Sequence, residues 1–226
     1  MKVKDKMIKY VLFDLDGTLL ATLDTITYHL NAALVSHGLE KITVSDCSEL
    51  IGNGARRLVA GAVNRSGVDD GDVISEVLSQ YNRAYDSDPL PCTYPYNGIT
   101  ELVDKLVAKG VILGIVTNKP EPTAKKLAEH FFPGKFAFVR GGCEGAILKP
   151  DPTESLRMLA SVGGKADECA FVGDTSVDIY TGKNMGAALS VGVSWGFRTR
   201  ESLFEAGADV VADHPSDVLY AVAEVV

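Results

Sequence analysis

The sequence has few of the features that mark secreted, membrane-bound or metal–thiolate proteins. Its four cysteines form no Cys-x-x-Cys pair, so neither a zinc site nor a disulfide framework is expected. No apolar run approaches the roughly 18 residues of a membrane-spanning helix. The short apolar run after the basic start meets Asp14 too early for a secretory signal. We therefore expect reduced thiols, a cytoplasmic location and no membrane partner.

Positive charge is also scarce. Lysine and arginine total 22 against 30 aspartates and glutamates, which gives a formal net charge of −8. An acidic chain without a basic block is a poor candidate for binding nucleic acid. The 46% hydrophobic and 23% charged residues are ordinary for a folded globular protein, and they exclude long disorder, collagen and coiled coil. A small phosphorylated metabolite remains a suitable partner if a metal ion or a lysine supplies local positive charge.

Short apolar runs alternate with amphipathic stretches over most of the chain. The apolar runs predict six buried strands, at residues 8–13, 111–116, 136–139, 169–172, 188–191 and 209–212. Helical patterns lie between and after the later strands, at residues 100–108, 121–131, 153–162, 177–185, 200–206 and 216–225. Repeated strand–helix units favour an α/β, Rossmann-like fold with a parallel sheet.

Residues 23–92 interrupt this alternation. Helical patterns cover 24–36, 44–50, 55–65 and 72–86, and no convincing strand separates them. The 226 residues suit one full α/β domain with a smaller insertion. We therefore predict a core formed by residues 1–20 and 95–226, with an inserted helical domain at 21–94.

Polar residues follow four of the predicted strands. In a doubly wound sheet these strand ends are where ligands bind. Their side chains include the types that a metal–phosphate site needs: Asp14, Asp16, Thr117, Asn118, Lys149, Asp174 and Asp178. The sequence therefore predicts a phosphate-handling site at the carboxyl edge of the sheet.

The chemistry follows from these residue types. Asp14 and Asp16, with Asp174 from another strand end, provide oxygen ligands suited to Mg²⁺. One carboxylate could attack phosphorus and another could exchange protons with the leaving oxygen and water. Lys149 would neutralise charge, and Thr117 and Asn118 could donate hydrogen bonds to phosphoryl oxygens. Gly17 lets the chain turn sharply beside the site.

The ordered motifs Asp14-Leu-Asp-Gly-Thr18, Thr117-Asn118, Lys149-Pro150 and Gly173-Asp174-xxx-Asp178 resemble those of the haloacid dehalogenase-type phosphatases. The resemblance covers nearly the whole chain. It implies that Asp14 is the nucleophile and Asp16 the general acid and base. It also implies Mg²⁺ held by Asp14, the Asp16 backbone carbonyl and Asp174, with Asp178 supporting the metal or Lys149, and Gly17 and Thr18 completing the first motif. The inserted helices would form the family's cap.

Within that family the chain is most similar to the phosphoglycolate phosphatase group, through residues 51–59, 193–198 and 206–211. The resemblance implies hydrolysis of a small monoester such as 2-phosphoglycolate, and an arginine of the cap, Arg57, is a candidate ligand for the substrate carboxylate. Ala21 departs from the group, since many relatives carry an acid there. A pyrophosphatase, a sugar-phosphate phosphomutase or a non-catalytic phospho-acceptor remain open, as does the choice between a monomer and a homodimer.

A competing motif is weaker. Residues 192–196 match Gly-x-Ser-x-Gly, the nucleophile elbow of esterases. Too few residues follow Gly196 to build the strands and helices that carry the remaining members of such a triad. An esterase is therefore disfavoured.

Overall fold

The computed structural model describes residues 7–143 and 145–223. Six parallel strands form one sheet in the order β5-β4-β1-β6-β7-β8. Their bounds are β1 Tyr10–Phe13, β4 Ile112–Pro120, β5 Phe138–Gly142, β6 Cys169–Gly173, β7 Leu189–Val193 and β8 Val210–Ala212. A separate antiparallel pair joins β2, Leu20–Ala21, to β3, Tyr94–Pro95. The predicted α/β parallel-sheet fold is confirmed.

Helices cover the sheet and fill the insertion. The helices of the insertion are α1 Leu23–Ser36, α2 Val44–Leu50, α3 Ala55–Arg65 and α4 Gly71–Ser87. Those around the sheet are α5 Ile99–Ala108, α6 Glu121–Phe131, α7 Thr153–Ser161, α8 Ser176–Met185, α9 Arg200–Glu205 and α10 Pro215–Ala223. A short 3₁₀ helix, Ala166–Glu168, precedes β6.

Every predicted strand and helix has a counterpart among these elements. The second strand is longer than predicted, because β4 continues through Thr117 and Asn118 to Pro120. The β2–β3 pair was not predicted, since two-residue strands show no period in sequence. The start of the predicted core at residue 1 and the end of the predicted last helix at residue 225 lie outside the described residues.

The sheet core places three strand ends together. β1 lies in the middle of the sheet, with β4 on one side and β6 on the other. All four residues of β1 are buried. Val11 and Phe13 belong to the large apolar cluster on one face of the sheet, and Tyr10 and Leu12 belong to a second cluster. Because parallel strands run in the same direction, the residues that follow β1, β4 and β6 meet at one edge.

The helices α1 to α4, which we call the cap helices, have an apolar cluster of their own. It includes Leu30, Leu34, Val59, Val63 and Val77. These helices therefore pack around a core of their own, and the β2–β3 pair lies near both of their junctions with the sheet. The division into 1–20 and 95–226 against 21–94 stays a proposal. Among the helices of the described chain, none combines the length and apolar content needed to cross a bilayer.

Candidate active site

Asp14 lies directly beyond the central strand. Its backbone N–H donates to the Val172 carbonyl at 2.9 Å, so it continues the pairing of β1 with β6. The chain then turns at once, with Gly17 at φ 82°. A side chain at Gly17 would collide with the carboxylate of Asp174. Position 17 therefore requires glycine for two reasons: the positive φ angle and the lack of space for a side chain.

Lys149 lies between two carboxylates. Its Nζ is 2.6 Å from Asp178 Oδ1 and 2.9 Å from Asp14 Oδ1. The approach to Asp178 has hydrogen-bond geometry, whereas Asp14 Oδ1 is buried and has no hydrogen-bond donor among the described residues. The lysine side chain is 3% exposed. The predicted charge neutraliser is thus in direct ionic contact with the predicted nucleophile.

Asp174, at the end of β6, is fully buried. Its Oδ1 accepts a hydrogen bond from the Thr18 hydroxyl at 2.9 Å. Its Oδ2 accepts one from the Phe197 backbone N–H at 2.8 Å. The predicted supporting residues Gly17 and Thr18 therefore both pack against the Asp174 carboxylate. Their motif connects the end of β1 with the end of β6.

Asp178 is positioned by the start of α8. Thr175 and Asp178 form a capping box, in which the Asp178 Oδ2 accepts from the Thr175 N–H at 3.0 Å and its hydroxyl at 2.7 Å. The other oxygen, Oδ1, is left to bind Lys149. A local helix-capping rule thus orients a charged group toward the site.

The electrostatics of this cluster are unbalanced. Burial raises the pKa of Asp14 to about 6, although Lys149 opposes the shift. Burial and the neighbouring carboxylates of Asp178 and Asp14 raise the pKa of Asp174 well above its usual value. Burial would lower the pKa of Lys149, but the two acids outweigh it and raise that pKa. Three carboxylates facing one ammonium therefore favour additional positive charge.

The donor set fits a hard divalent cation. Asp14, Asp174 and Asp178 each offer a carboxylate oxygen, and these oxygens lie within 4.8 Å of one another. Asp14 Oδ1, buried without a hydrogen-bond donor, is an atom that such an ion would satisfy. All-oxygen ligation suits Mg²⁺. Asp14 and Asp174 were predicted as metal ligands. Asp178 was predicted to support the metal or Lys149, and its carboxylate belongs to the same group of three.

Thr117 and Asn118 are buried at the end of β4, next to the acids. The Asn118 amide group is already committed to protein partners: it donates to the Lys149 carbonyl at 3.1 Å and the Gly52 carbonyl at 3.0 Å, and accepts from the Lys149 N–H at 2.9 Å. It therefore holds the backbone of Lys149 and the loop before α3. Its predicted donation to a phosphoryl group stays a prediction, as does that of Thr117.

The carboxylate of Asp16 does not join the acidic cluster. Its oxygens lie 3.0 and 3.2 Å from Lys119 Nζ, which also donates to the Tyr85 hydroxyl at 2.7 Å. Sequence reasoning missed Lys119. A signal was present, because Lys119 follows Thr117 by two residues on one strand, and this spacing places both on the same side. The predicted metal contact through the Asp16 backbone carbonyl stays a prediction.

A cavity of about 50 Å³ lies between the strand ends and the cap helices. Asp14, Asp16, Thr117 and Lys119 contribute from the sheet side, and the cap helices contribute Leu58, Tyr81 and Tyr85 among others. Tyr81 and Tyr85 stack with their ring centroids 5.6 Å apart. The predicted substrate ligand Arg57 is exposed and is absent from the cavity lining. Its role stays a prediction that this arrangement does not support.

The Gly-x-Ser-x-Gly segment serves the acidic site in another way. Ser194 donates directly to Asp213 at 2.6 Å, with no histidine between them. Gly196 packs against Asp174, and the Phe197 N–H binds that carboxylate. The segment is therefore a support for the site, in agreement with the rejection of an esterase.

A parallel α/β sheet that gathers carboxylates and a lysine at its strand ends, beneath inserted helices, defines a class of hydrolases that handle phosphate. The chain belongs to the haloacid dehalogenase-like hydrolase family, whose model matches residues 11–191. Within that family it is a phosphatase.

Curated relatives and solved structures agree with this assignment. The chain is 36% identical over 213 residues to the phosphoglycolate phosphatase of Rhodospirillum rubrum, covering 92% of this chain and 88% of that one. It is 29% identical over 220 residues to the N-acetylmuramic acid 6-phosphate phosphatase of Pseudomonas aeruginosa, covering 96% of each. A crystal structure from Lactobacillus delbrueckii subsp. bulgaricus, provisionally assigned as a phosphoglycolate phosphatase, superposes with a TM-score of 0.89 at 29% identity, covering 96% of this chain and 98% of that one.

Proposed function

We propose that the protein hydrolyses 2-phosphoglycolate in a Mg²⁺-dependent reaction through a phosphorylated Asp14. The observation that carries this proposal is the contact of Lys149 with Asp14. Nζ lies 2.9 Å from a buried carboxylate oxygen that has no hydrogen-bond donor among the described residues. The Lys149 ammonium can therefore neutralise the negative charge of this carboxylate and of the phosphoryl group that it attacks.

The first half of the reaction transfers the phosphoryl group to the protein. A carboxylate oxygen of Asp14 attacks phosphorus, and the bond from phosphorus to the leaving oxygen breaks. Asp16, which lines the same cavity, donates a proton to the leaving oxygen. Lys149 offsets the negative charge beside Asp14.

The second half restores the protein. Asp16 takes a proton from water, which attacks the phosphorylated Asp14 and releases inorganic phosphate. Asp14, Asp174 and Asp178 would hold Mg²⁺, and a bound Mg²⁺ would neutralise phosphoryl charge and hold one phosphoryl oxygen. Asn118 keeps Lys149 in place during both halves through its backbone.

The size of the cavity supports a small substrate. The relatives named above act on phosphoglycolate and on a much larger sugar phosphate, so identity alone does not choose between them. The space of about 50 Å³ is confined between the strand ends and the cap helices. It accommodates a two-carbon acid more readily than a hexose, unless the cap helices open.

Phosphate release from a substrate panel tests the proposal. The panel contains 2-phosphoglycolate, N-acetylmuramic acid 6-phosphate, pyrophosphate, hexose phosphates, nucleoside monophosphates and p-nitrophenyl phosphate, each with Mg²⁺ and with EDTA. We expect kcat/KM for 2-phosphoglycolate to exceed the others by about 10³, which is about 4 kcal/mol of discrimination. Similar rates on all substrates would reject 2-phosphoglycolate, and a preference for pyrophosphate or phosphoryl return to a sugar would favour the alternative activities.

A further inference from the structure

Lys119 is a buried cation at the edge of the proposed substrate cavity. It lies at the end of β4, its side chain is 2% exposed, and it lines the cavity. An ammonium group is strongly hydrated, so removing it from water needs compensating partners.

Two groups hold the ammonium. The Asp16 carboxylate contacts it at 3.0 and 3.2 Å, and the Tyr85 hydroxyl accepts a hydrogen bond at 2.7 Å. Nζ also lies 4.2 Å from the centre of the Tyr85 ring. Asp16 comes from the sheet and Tyr85 from α4, so Lys119 joins the two walls of the cavity.

Tyr85 has a proton left to donate. Its hydroxyl oxygen accepts from Lys119, while its own hydrogen is not used in that bond. Burial, reinforced by the charge of Asp16, raises the pKa of Tyr85 well above its usual value, so the phenol stays protonated. The ammonium and the phenol therefore form a pair of neighbouring donors.

Positive charge is otherwise absent from the described lining of the cavity. The lining residues that carry charge are Asp14, Asp16 and Lys119. Lys149 is engaged with Asp14 and Asp178. Arg57 is exposed and away from the lining. An anionic group of the substrate other than its phosphate would therefore find its cationic partner at Lys119.

We propose that Lys119, with the Tyr85 hydroxyl, binds the carboxylate of a small phosphorylated acid. The substrate carboxylate replaces Asp16 as the anionic partner of Lys119, and Asp16 becomes free for proton transfer. This assignment rests on the proposed function and adds the residue that selects the acid. It also ties selection to the cap helices, because Tyr85 belongs to α4.

A purely structural role makes a different prediction. If Lys119 only neutralises Asp16, its loss slows the hydrolysis of every phosphate monoester by the same factor. If Lys119 binds the substrate carboxylate, its loss slows the hydrolysis of phosphorylated acids more than that of analogues without the carboxylate. The comparison of 2-phosphoglycolate with 2-hydroxyethyl phosphate isolates this difference, because the second compound replaces the carboxylate with a hydroxymethyl group.

The experiment measures kcat and KM for both substrates in the wild type, Lys119→Met, Lys119→Gln and Lys119→Arg. The control is Lys125→Met, since Lys125 is exposed on α6 and pairs with Glu121. We expect the wild type to prefer 2-phosphoglycolate, and Lys119→Met and Lys119→Gln to reduce that preference by about 10–100-fold, mainly through KM, as the loss of a charge-assisted bond predicts. Lys119→Arg should retain part of the preference, and Lys125→Met all of it.

The outcomes separate the two proposals. A wild type that hydrolyses both compounds equally well overturns both the substrate assignment and the carboxylate site, without any variant. In the second outcome, the wild type prefers 2-phosphoglycolate, but the Lys119 variants hydrolyse both compounds more slowly by the same factor. Provided that thermal melting shows these variants to be folded, this result overturns the carboxylate site and leaves the proposed function standing.

Discussion

The Arg198 guanidinium donates a hydrogen bond to the Ser48 carbonyl oxygen at 2.7 Å, and so joins the loop after β7 to the end of α2. It donates a second bond to the Ile51 carbonyl at 3.2 Å. The residue before it, Phe197, binds Asp174 through its N–H. Adjacent residues of one loop therefore hold the cap helices and a candidate metal ligand.

Replacing this arginine should loosen the cap. Arg198→Met removes donors that a shorter or uncharged side chain cannot supply to several carbonyls. We expect kcat/KM to fall by about tenfold, since a hydrogen bond from a charged group contributes about 1.5–3 kcal/mol when buried and less when partly exposed. Steady-state kinetics measures the loss. Arg200→Met is the matched control, because Arg200 contacts Asp213 and the Val211 carbonyl instead. Equal losses of kcat/KM in both variants would contradict a role of Arg198 in holding the cap helices.

Asp14→Asn should abolish turnover. An amide oxygen is a poor nucleophile toward phosphorus, so we expect kcat to fall by at least about 10⁴-fold. Phosphate release measures the fall, and circular dichroism checks that the variant is folded. Activity within tenfold of wild type would reject Asp14 as nucleophile. The control is Asp151→Asn, at a half-buried aspartate outside the acidic cluster whose side chain accepts from the Thr153 N–H at the start of α7.

Removal of divalent cations should silence the enzyme, because the buried acids would otherwise repel a phosphate dianion. We expect EDTA to stop turnover, Mg²⁺ to restore it, and Mg²⁺ to raise the melting temperature by mass action. In Asp174→Asn, we expect the Mg²⁺ concentration needed for the same rise in melting temperature to increase by at least about tenfold. Melting curves that are the same with Mg²⁺ and with EDTA would reject the proposed cation site.

Gly196→Ala should damage the site through steric contact alone. Its added Cβ would collide with Asp174 and with the Gly17 carbonyl. We expect a destabilisation of about 1–3 kcal/mol by thermal or urea unfolding, together with a loss of activity. Gly71→Ala is the control, since a Cβ there meets nothing within 4 Å. Full activity in Gly196→Ala would show that the Asp174 position tolerates displacement.

The thiols should fall into two reactivity classes. Cys92 and Cys143 are exposed, whereas Cys47 and Cys169 are buried. Burial raises the pKa of Cys47 to about 11 and that of Cys169 to about 12, so both are almost entirely protonated at pH 8, where thiolate is the reactive form. We expect two fast-reacting thiols in the native protein and four in denaturant, counted with a chromogenic disulfide. Four fast thiols in the native state would contradict the packing.

Much of the fold was predictable because its signals are local. The helices α2, α3 and α6 have the predicted bounds, since apolar spacing and turn residues mark them. The convergence of Asp14, Lys149 and Asp174 was also predictable, because parallel strands present their carboxyl ends at one edge. The β2–β3 pair was not, since its pairing joins residues far apart in the chain and leaves no local pattern.

The sequence by itself determined the order of strands and helices and the chemical identity of the strand-end residues, because periodicity and motif order are properties of the chain. Only the tertiary structure decided which charges meet. The contacts of Lys119 with Tyr85 and Asp16 join residues 34 and 103 apart, and that of Arg198 with Ser48 joins residues 150 apart. Such contacts depend on how the cap helices pack over the sheet, and a cation's partner in a buried site is set by that packing rather than by its neighbours in sequence.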